Sequence, residues 1–280
     1  MKTKLVVFTD LDGTLLDHDT YSWQDAQPAL TALAKYDCPV ILNSSKTRAE
    51  IQSLRIDLDN NDPFIVENGS AVCIPAEYFE SGNKDLTIKC FGPSRDDILN
   101  ILKKLRADYG YDFVSFQDMS VQALMDVTGL DQESARKAKQ REASEPLLWH
   151  DSEVRLHSFI SRLRMKGYTV VSGGRFHHVM GTVSKADSID WLMNAYRDQD
   201  PDTHFISVGL GDSFNDVPML ETVDIPVLIA GKHGKEIQVR REDLIKTQAF
   251  GPQGWNQAML DIIERYLLSQ QKGAVHMTEN

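Results

Sequence analysis

Leu5-Val6-Val7-Phe8-Thr9-Asp10-Leu11-Asp12-Gly13-Thr14 is the stretch that decides the fold. Four consecutive apolar residues, two of them valine, have the pattern of a strand buried on both faces, as in a parallel sheet. In open parallel sheets ligands bind beyond the carboxyl ends of the strands. Asp10 stands at that end. Asp12 follows at a spacing of two, and Gly13 permits a turn that sends the two carboxylates into different roles. Taken alone, the pentapeptide Asp10 to Thr14 reads equally well as a strand followed by an Asp-Gly turn.

The flanking sequence repeats the theme. Ala26 to Lys35 carries Leu30, Leu33 and Ala34 at helical spacing, and Val40-Ile41-Leu42 is a second strand that ends at Asn43-Ser44-Ser45-Lys46-Thr47. Arg48 to Leu54 reads as a helix. Phe64-Ile65-Val66 is a third strand, ending at Glu67-Asn68-Gly69. Strands alternating with helices imply a parallel sheet covered on both faces.

The texture changes near residue 83. Up to about residue 180 we expect a strand at Leu86 to Phe91 and a helix at Arg95 to Tyr109, then helices at Val121 to Val127 and Gln132 to Ala143. Strands at Leu147 to Trp149 and Tyr168 to Val171 flank a helix at Glu153 to Lys166, and a last strand covers Arg175 to Met180. That order suits an α+β insert with an antiparallel sheet. The alternation then returns: Lys185 opens a helix, Phe205 to Val208 is a strand running into Gly209-Leu210-Gly211-Asp212, and Pro226 to Ile229 is another. A polar, turn-rich stretch and a helix around Met259 to Leu268 follow, and 270–280 reads as frayed. The expected fold is therefore α/β, a Rossmann-like parallel core in two parts (1–83 and 181–280) with an inserted α+β domain at 84–180.

Composition excludes several functions. With 41 acidic against 30 basic residues the formal charge is -11, which argues against a broad nucleic-acid-binding or anionic-membrane surface. A small anionic substrate is compatible if its charge is met locally. Cys38, Cys73 and Cys90 form no CxxC pair and read as reduced, buried thiols of a cytoplasmic protein. The apolar run behind Met1-Lys2-Thr3-Lys4 ends at Asp10, too soon for a signal peptide.

Asp10, Ser44, Lys185 and Asp212 each lie at a strand end or at the start of the next helix, so a parallel sheet gathers them at one edge. Carboxylates so placed repel one another and any phosphate unless a hard cation intervenes. Magnesium favours a few carboxylate oxygens together with water and substrate phosphate. Asp10, the backbone carbonyl of Asp12 and Asp212 make up such a set.

This combination resembles the haloacid dehalogenase superfamily of phosphotransferases, whose four motifs match Asp10 to Thr14, Ser44, Lys185 and Gly211-Asp212-Ser213-Phe214-Asn215-Asp216. The resemblance implies that Asp10 is the nucleophile and that Asp12 protonates the leaving alcohol and then activates water. A carboxyl group in that second role holds its proton near neutral pH only where its surroundings favour the neutral form. Lys185 is implied as the charge beside the transferring phosphoryl group, Ser44 and the amides after it as phosphate donors, and Asn215 and Asp216 as residues orienting Asp212 or metal-bound water. Taken alone, Ser44 is a common helix cap, Lys185 a common solvated residue and Asp216 a reasonable helix N-cap.

More narrowly, the whole chain resembles the mannosyl-3-phosphoglycerate phosphatases. Ser44-Ser45-Lys46-Thr47, Glu67-Asn68-Gly69, Gly174-Arg175-Phe176-His177-His178 and Gly251-Pro252-Gln253-Gly254-Trp255 carry that likeness. It implies removal of phosphate from a sugar-linked glycerate, with substrate contacts at Ser44, Ser45, Lys46, Asn68, Gly69, Arg175 and His178. Arg175 suits the glycerate carboxylate through two parallel hydrogen bonds, with a surface ion pair as its alternative. His177 and His178 face opposite sides of a strand and do not share a metal. Other sugar phosphates, among them glucosyl-3-phosphoglycerate, sucrose phosphate and hexose phosphates, call for the same catalytic residues. A silent metabolite sensor has no need of a nucleophile and an acid together. A dinucleotide site at Gly209-Leu210-Gly211 lacks its third glycine, where Phe214 stands, and Asp212 repels a pyrophosphate.

Overall fold

The computed structural model describes residues 2–79, 84–173, 175–231 and 236–268. The texture change near residue 83, Gly174 and the frayed tail expected at 270–280 lie outside the described residues. The strands are β1 (Lys2–Thr9), β2 (Val40–Asn43), β3 (Phe64–Val66), β4 (Ala71–Ile74), β5 (Thr87–Cys90) and β6 (Phe113–Ser115), then β7 (Ser144–Trp149), β8 (Tyr168–Gly173), β9 (Phe176–Gly181), β10 (Thr203–Gly211), β11 (Ile225–Ala230) and β12 (Ile245–Phe250). The helices are α1 (Gln27–Lys35), α2 (Arg48–Asp57), α3 (Arg95–Tyr109), α4 (Val121–Thr128), α5 (Gln132–Ala138), α6 (Glu153–Arg164), α7 (Lys185–Gln199), α8 (Val217–Thr222) and α9 (Gly251–Ile263). The chain divides into two compact units. One comprises Met1–Asn43, Glu77–Lys84 and Ile189–Asn280, the other Ser44–Ala76 and Asp85–Ser188.

The first unit is built on parallel strands in the order β12-β11-β10-β1-β2. Leu5 to Phe8 are completely buried, as an apolar run without alternation requires. Register sets the chemistry that follows. Thr9 pairs with Leu210, so Asp10 and Asp212 leave adjacent strands at the same edge. Trp255 on α9 is also fully buried, and its indole Nε1 donates to Thr9 Oγ1 at 3.0 Å, one residue from Asp10.

In the second unit β3, β4 and β5 form an antiparallel meander. A separate antiparallel sheet has the order β6-β7-β9-β8. Consecutive residues of β7 face opposite sides: Leu147 packs with Ile98, Leu102 and Phe159 of α3 and α6, and Leu148 with Leu124 and Ala135 of α4 and α5. That alternation buries both faces of the small sheet under helices. The α/β fold with an inserted antiparallel sheet is as expected.

Several details differ. The strand expected at the start of the insert, β5, pairs with β4, Thr87 opposite Ile74, and joins the meander. The helix at Gln132 stops at Ala138 because the chain turns there to enter β7 at Ser144, ahead of the expected Leu147. β12 occupies the stretch read as turn-rich; its alternating burial is that of a strand at the end of the sheet. The last helix begins at Gly251, well before Met259. Cys38 and Cys73 are buried, with burial raising the Cys73 thiol to about 12, whereas Cys90 on the outer strand β5 is exposed, contrary to expectation. Among the described residues no helix is long and apolar enough to cross a membrane.

Candidate active site

In the first unit β1 runs straight into a tight fold-back. Thr14 N–H donates to the Leu11 carbonyl, Leu16 N–H to the same carbonyl, and Gly13 N–H to the Leu16 carbonyl. Asp10 N–H donates to the Leu210 carbonyl at 2.9 Å, extending the β1–β10 pairing into the loop. Gly13 sits at φ +82°, in the region that favours glycine. A side chain there would also strike Asp212, whose Oδ2 lies 2.6 Å from the position of a Cβ.

Asp10, Asp212 and Asp216 each present a carboxylate oxygen within 4.8 Å of the other two. Asp10 and Asp216 are buried and Asp212 is half-buried. Thr14 Oγ1 donates to Asp212 Oδ1 at 3.1 Å. Asp216 Oδ2 accepts from the amides of Asp212 and Ser213 and from Ser213 Oγ, so the turn after β10 is wound around its carboxylate. Asp216 stands at the N-cap position of α8 but makes no side-chain cap bond to it. Three hard oxygen donors from one short loop and one strand end suit a hard cation, and the cluster can hold a metal ion.

The sequence alone suggests Asp216 as a residue orienting Asp212, with the backbone carbonyl of Asp12 as the third contributor. Among the described residues the clustered carboxylates are those of Asp10, Asp212 and Asp216, and Asp12 stands half-buried on the fold-back. The missed signal is the spacing of four between Asp212 and Asp216: the 3-10 turn Phe214–Asp216 brings the second carboxylate back toward the first. Thr14, inside the opening pentapeptide, was also missed. Asn215 accepts from Ser213 Oγ in the same turn.

The other expected site residues belong to the second unit. Ser44 is buried and its Oγ accepts from Lys46 N–H at 3.3 Å. It does not cap α2; Thr47 does, in a reciprocal pair with Glu50. Ser45 and Lys46 are half-buried, and their carbonyls accept from Arg141 Nη2 at 2.8 Å and from Glu67 N–H at 3.0 Å. Asn68 is buried at φ +59°. Gly69, at φ +94°, lies against the Ser184 carbonyl, and its own carbonyl accepts from Ser188 Oγ. The Asn68-Gly69 turn thus abuts the start of α7. Lys185 there is 1% exposed, so its side chain is buried rather than solvated.

Arg175 is exposed at the β8–β9 turn, and its guanidinium donates to the Val127 carbonyl at the end of α4. His178 is half-buried, and its Nδ1, sealed from solvent, has no hydrogen-bond partner among the described residues. Burial, with smaller contributions from Arg141 and His177, lowers its pKa to about 3, so the ring is neutral and offers hydrogen bonds rather than charge. His177 is also shifted down by burial, and its Nδ1 shares a hydrogen bond with Ser172 Oγ at 2.9 Å.

The family model for haloacid dehalogenase-like hydrolases matches residues 7–235. A glucosyl-3-phosphoglycerate/mannosyl-3-phosphoglycerate phosphatase of Methanococcoides burtonii is 38% identical over 267 residues, 93% of this chain and 97% of the relative. A protein of the same name from Persephonella marina is 34% identical over 92% of this chain and 97% of its own length. Among solved structures, a Thermoplasma acidophilum protein superposes with a TM-score of 0.64 at 19% identity, covering 93% of this chain and 98% of that one.

Proposed function

This chain belongs to the haloacid dehalogenase-like hydrolases and is a phosphatase of that family, and on that premise we propose that it is a magnesium-dependent enzyme cleaving mannosyl-3-phosphoglycerate to mannosylglycerate and phosphate. The observation that carries the substrate is the 38% identity, over 93% of this chain, to a relative named for both the glucosyl and the mannosyl compound. By the same support glucosyl-3-phosphoglycerate is a second substrate. The carboxylates of Asp10, Asp212 and Asp216 favour metal-assisted chemistry over a silent sensor.

In this reading an Asp10 carboxylate oxygen attacks phosphorus and the bond from phosphorus to the glycerate oxygen breaks. Asp12 gives its proton to that oxygen. Water then attacks the aspartyl phosphate, Asp12 accepts a proton from that water, and the bond between phosphorus and Asp10 breaks, which returns the Asp10 carboxylate and releases phosphate. Asp10, Asp212, Asp216 and the Asp12 carbonyl would hold magnesium, which when bound would neutralise charge between the carboxylates and the phosphate. Thr14 fixes the carboxylate plane of Asp212. Ser44, Ser45 and Lys46 hold the phosphate oxygens, and Lys185, buried at the start of α7, compensates charge in the transition state. Asn68, Gly69, Arg175 and neutral His178 face the sugar and glycerate, with 84–180 acting as a cap domain.

The deciding experiment is phosphate release from mannosyl-3-phosphoglycerate, glucosyl-3-phosphoglycerate, sucrose phosphate and hexose phosphates, with Asp10→Asn as the control. Expected are preference for the two glycerates and loss of turnover in the variant. A higher kcat/KM for a hexose phosphate overturns the substrate, and substantial turnover by Asp10→Asn overturns the nucleophile.

A further inference from the structure

Glu67 is a fully buried carboxylate at the end of β3, a position where local sequence gives no reason for burying charge. Its backbone is left-handed, φ +51°, and Asn68 follows at φ +59°. Two consecutive non-glycine residues in that region are costly and persist only where surrounding contacts fix them. Those contacts are numerous. Glu67 Oε1 accepts from Glu142 N–H at 2.7 Å, and Oε2 accepts from Ser144 Oγ at 2.6 Å and from Ala143 N–H at 3.2 Å. Arg141 Nε stands 3.6 Å from Oε2, and the Arg141 side chain is 4% exposed.

Arg141 carries the network onward. Its Nε donates to Ser144 Oγ and its Nη2 to the Ser45 carbonyl at 2.8 Å. The Glu67 and Asn68 amides donate to the Lys46 and Ser44 carbonyls, both at 3.0 Å. Two residues later Gly69 meets Ser184 and Ser188 at the start of α7. The Glu67-Asn68-Gly69 turn therefore fixes both the 44–46 segment and the backbone that carries Lys185.

A buried ion pair is seldom worth more stability than apolar residues of the same volume, so its placement calls for another reason. We propose that Glu67 and Arg141 are positioning residues for phosphoryl transfer: their pairing holds the Ser44–Lys46 segment and the Lys185 helix start in the arrangement that receives phosphate. The proposal rests on the phosphatase reading of Ser44 and Lys185. Neither side chain touches substrate. Their work is to hold the donors within the few tenths of an ångström that catalysis tolerates.

The test compares Glu67→Gln and Arg141→Lys with wild type in four measurements: kcat, KM for mannosyl-3-phosphoglycerate, inhibition by orthovanadate, and melting temperature. Each variant is expected to lose about tenfold or more in kcat and in orthovanadate affinity, with KM changed less than about threefold. Folded variants with wild-type kcat and orthovanadate inhibition overturn the proposal, as does a loss of activity that merely tracks the unfolded fraction. Ser144→Ala, which removes one hydroxyl from the network, serves where the charge variants fail to fold, with a smaller loss in the same two quantities expected. Calorimetry with inorganic phosphate separates the two readings. A wild type that binds phosphate but hydrolyses none of the glycerates or sugar phosphates sinks the assigned activity, while an active wild type whose variants keep its kcat and its orthovanadate inhibition sinks the positioning role.

Discussion

A methyl group on Gly13 would lie 2.6 Å from Oδ2 of Asp212, closer than a Cβ approaches a carboxylate oxygen. The opening pentapeptide and the loop after β10 thus fit together only because the fourth residue has no side chain. Gly13→Ala adds this clash to the cost of holding alanine at φ +82°, itself roughly 1–2 kcal/mol. The displaced Asp212 can no longer meet Thr14 and the other two carboxylates together. The expected result is a folded protein with a lowered melting temperature and kcat/KM down at least about a hundredfold. Near-normal turnover would show that the fit of Gly13 to Asp212 is irrelevant to the site.

Trp255 Nε1 donates to Thr9 Oγ1, which in turn donates to the Asp10 carbonyl at 2.7 Å. The first two residues are fully buried, so Trp255→Phe leaves a hydroxyl without its donor and opens a small void. Leaving such a group unmatched costs about 1–3 kcal/mol. Urea unfolding should register that loss as a lower midpoint with unchanged slope. Because Thr9 still donates to the Asp10 carbonyl, kcat should fall much less than in Gly13→Ala, and the reverse ranking would count against this reading.

His178 gives a stability effect with a definite sign. Its folded pKa, about 3, lies below the roughly 6.5 of an unfolded histidine. Above pH 6.5 the ring is neutral in both states. As pH falls below that value the unfolded chain takes up a proton that the folded chain refuses, so stability declines toward the folded pKa. Melting temperatures recorded between pH 7 and pH 4.5 should fall more steeply for wild type than for His178→Gln. Parallel curves would mean that the ring is protonated in the folded protein. The same shift leaves His178 out of any ionisation seen in the pH–rate profile between pH 5 and 8.

The legible parts of this chain are those encoded locally. The apolar run to Phe8 and the five residues from Asp10 announce a buried parallel strand and its reactive end, and α3 appears at its expected bounds because Ile98, Leu102 and Leu105 share a face. β6 is only three residues long, and β12 mixes Lys246 and Gln248 into a half-exposed strand, so neither carries a periodicity long enough to detect. Asp216 was legible as part of a motif but not as a member of the carboxylate cluster, since its position depends on a 3-10 turn. Glu67 and Arg141 were not legible as a pair at all. Nothing within a few residues of either forecasts burial; each is explained by a partner far along the chain.

Asp216 supports a prediction that separates metal holding from catalysis. Its Oδ2 already accepts from two amides and a hydroxyl, while a carboxylate oxygen also lies within 4.8 Å of those of Asp10 and Asp212. Asp216→Asn removes one negative charge from the donor set yet keeps an oxygen for the turn. With two carboxylates in place of three, magnesium should bind more weakly, and the concentration giving half-maximal turnover should rise about tenfold or more. At saturating magnesium kcat should recover to within about tenfold of wild type, since nucleophile and acid are untouched. Chelation should stop wild-type turnover and added magnesium restore it. Calorimetry with the metal alone should show the same loss of affinity in the variant, and a variant whose magnesium requirement matches wild type removes Asp216 from the metal site.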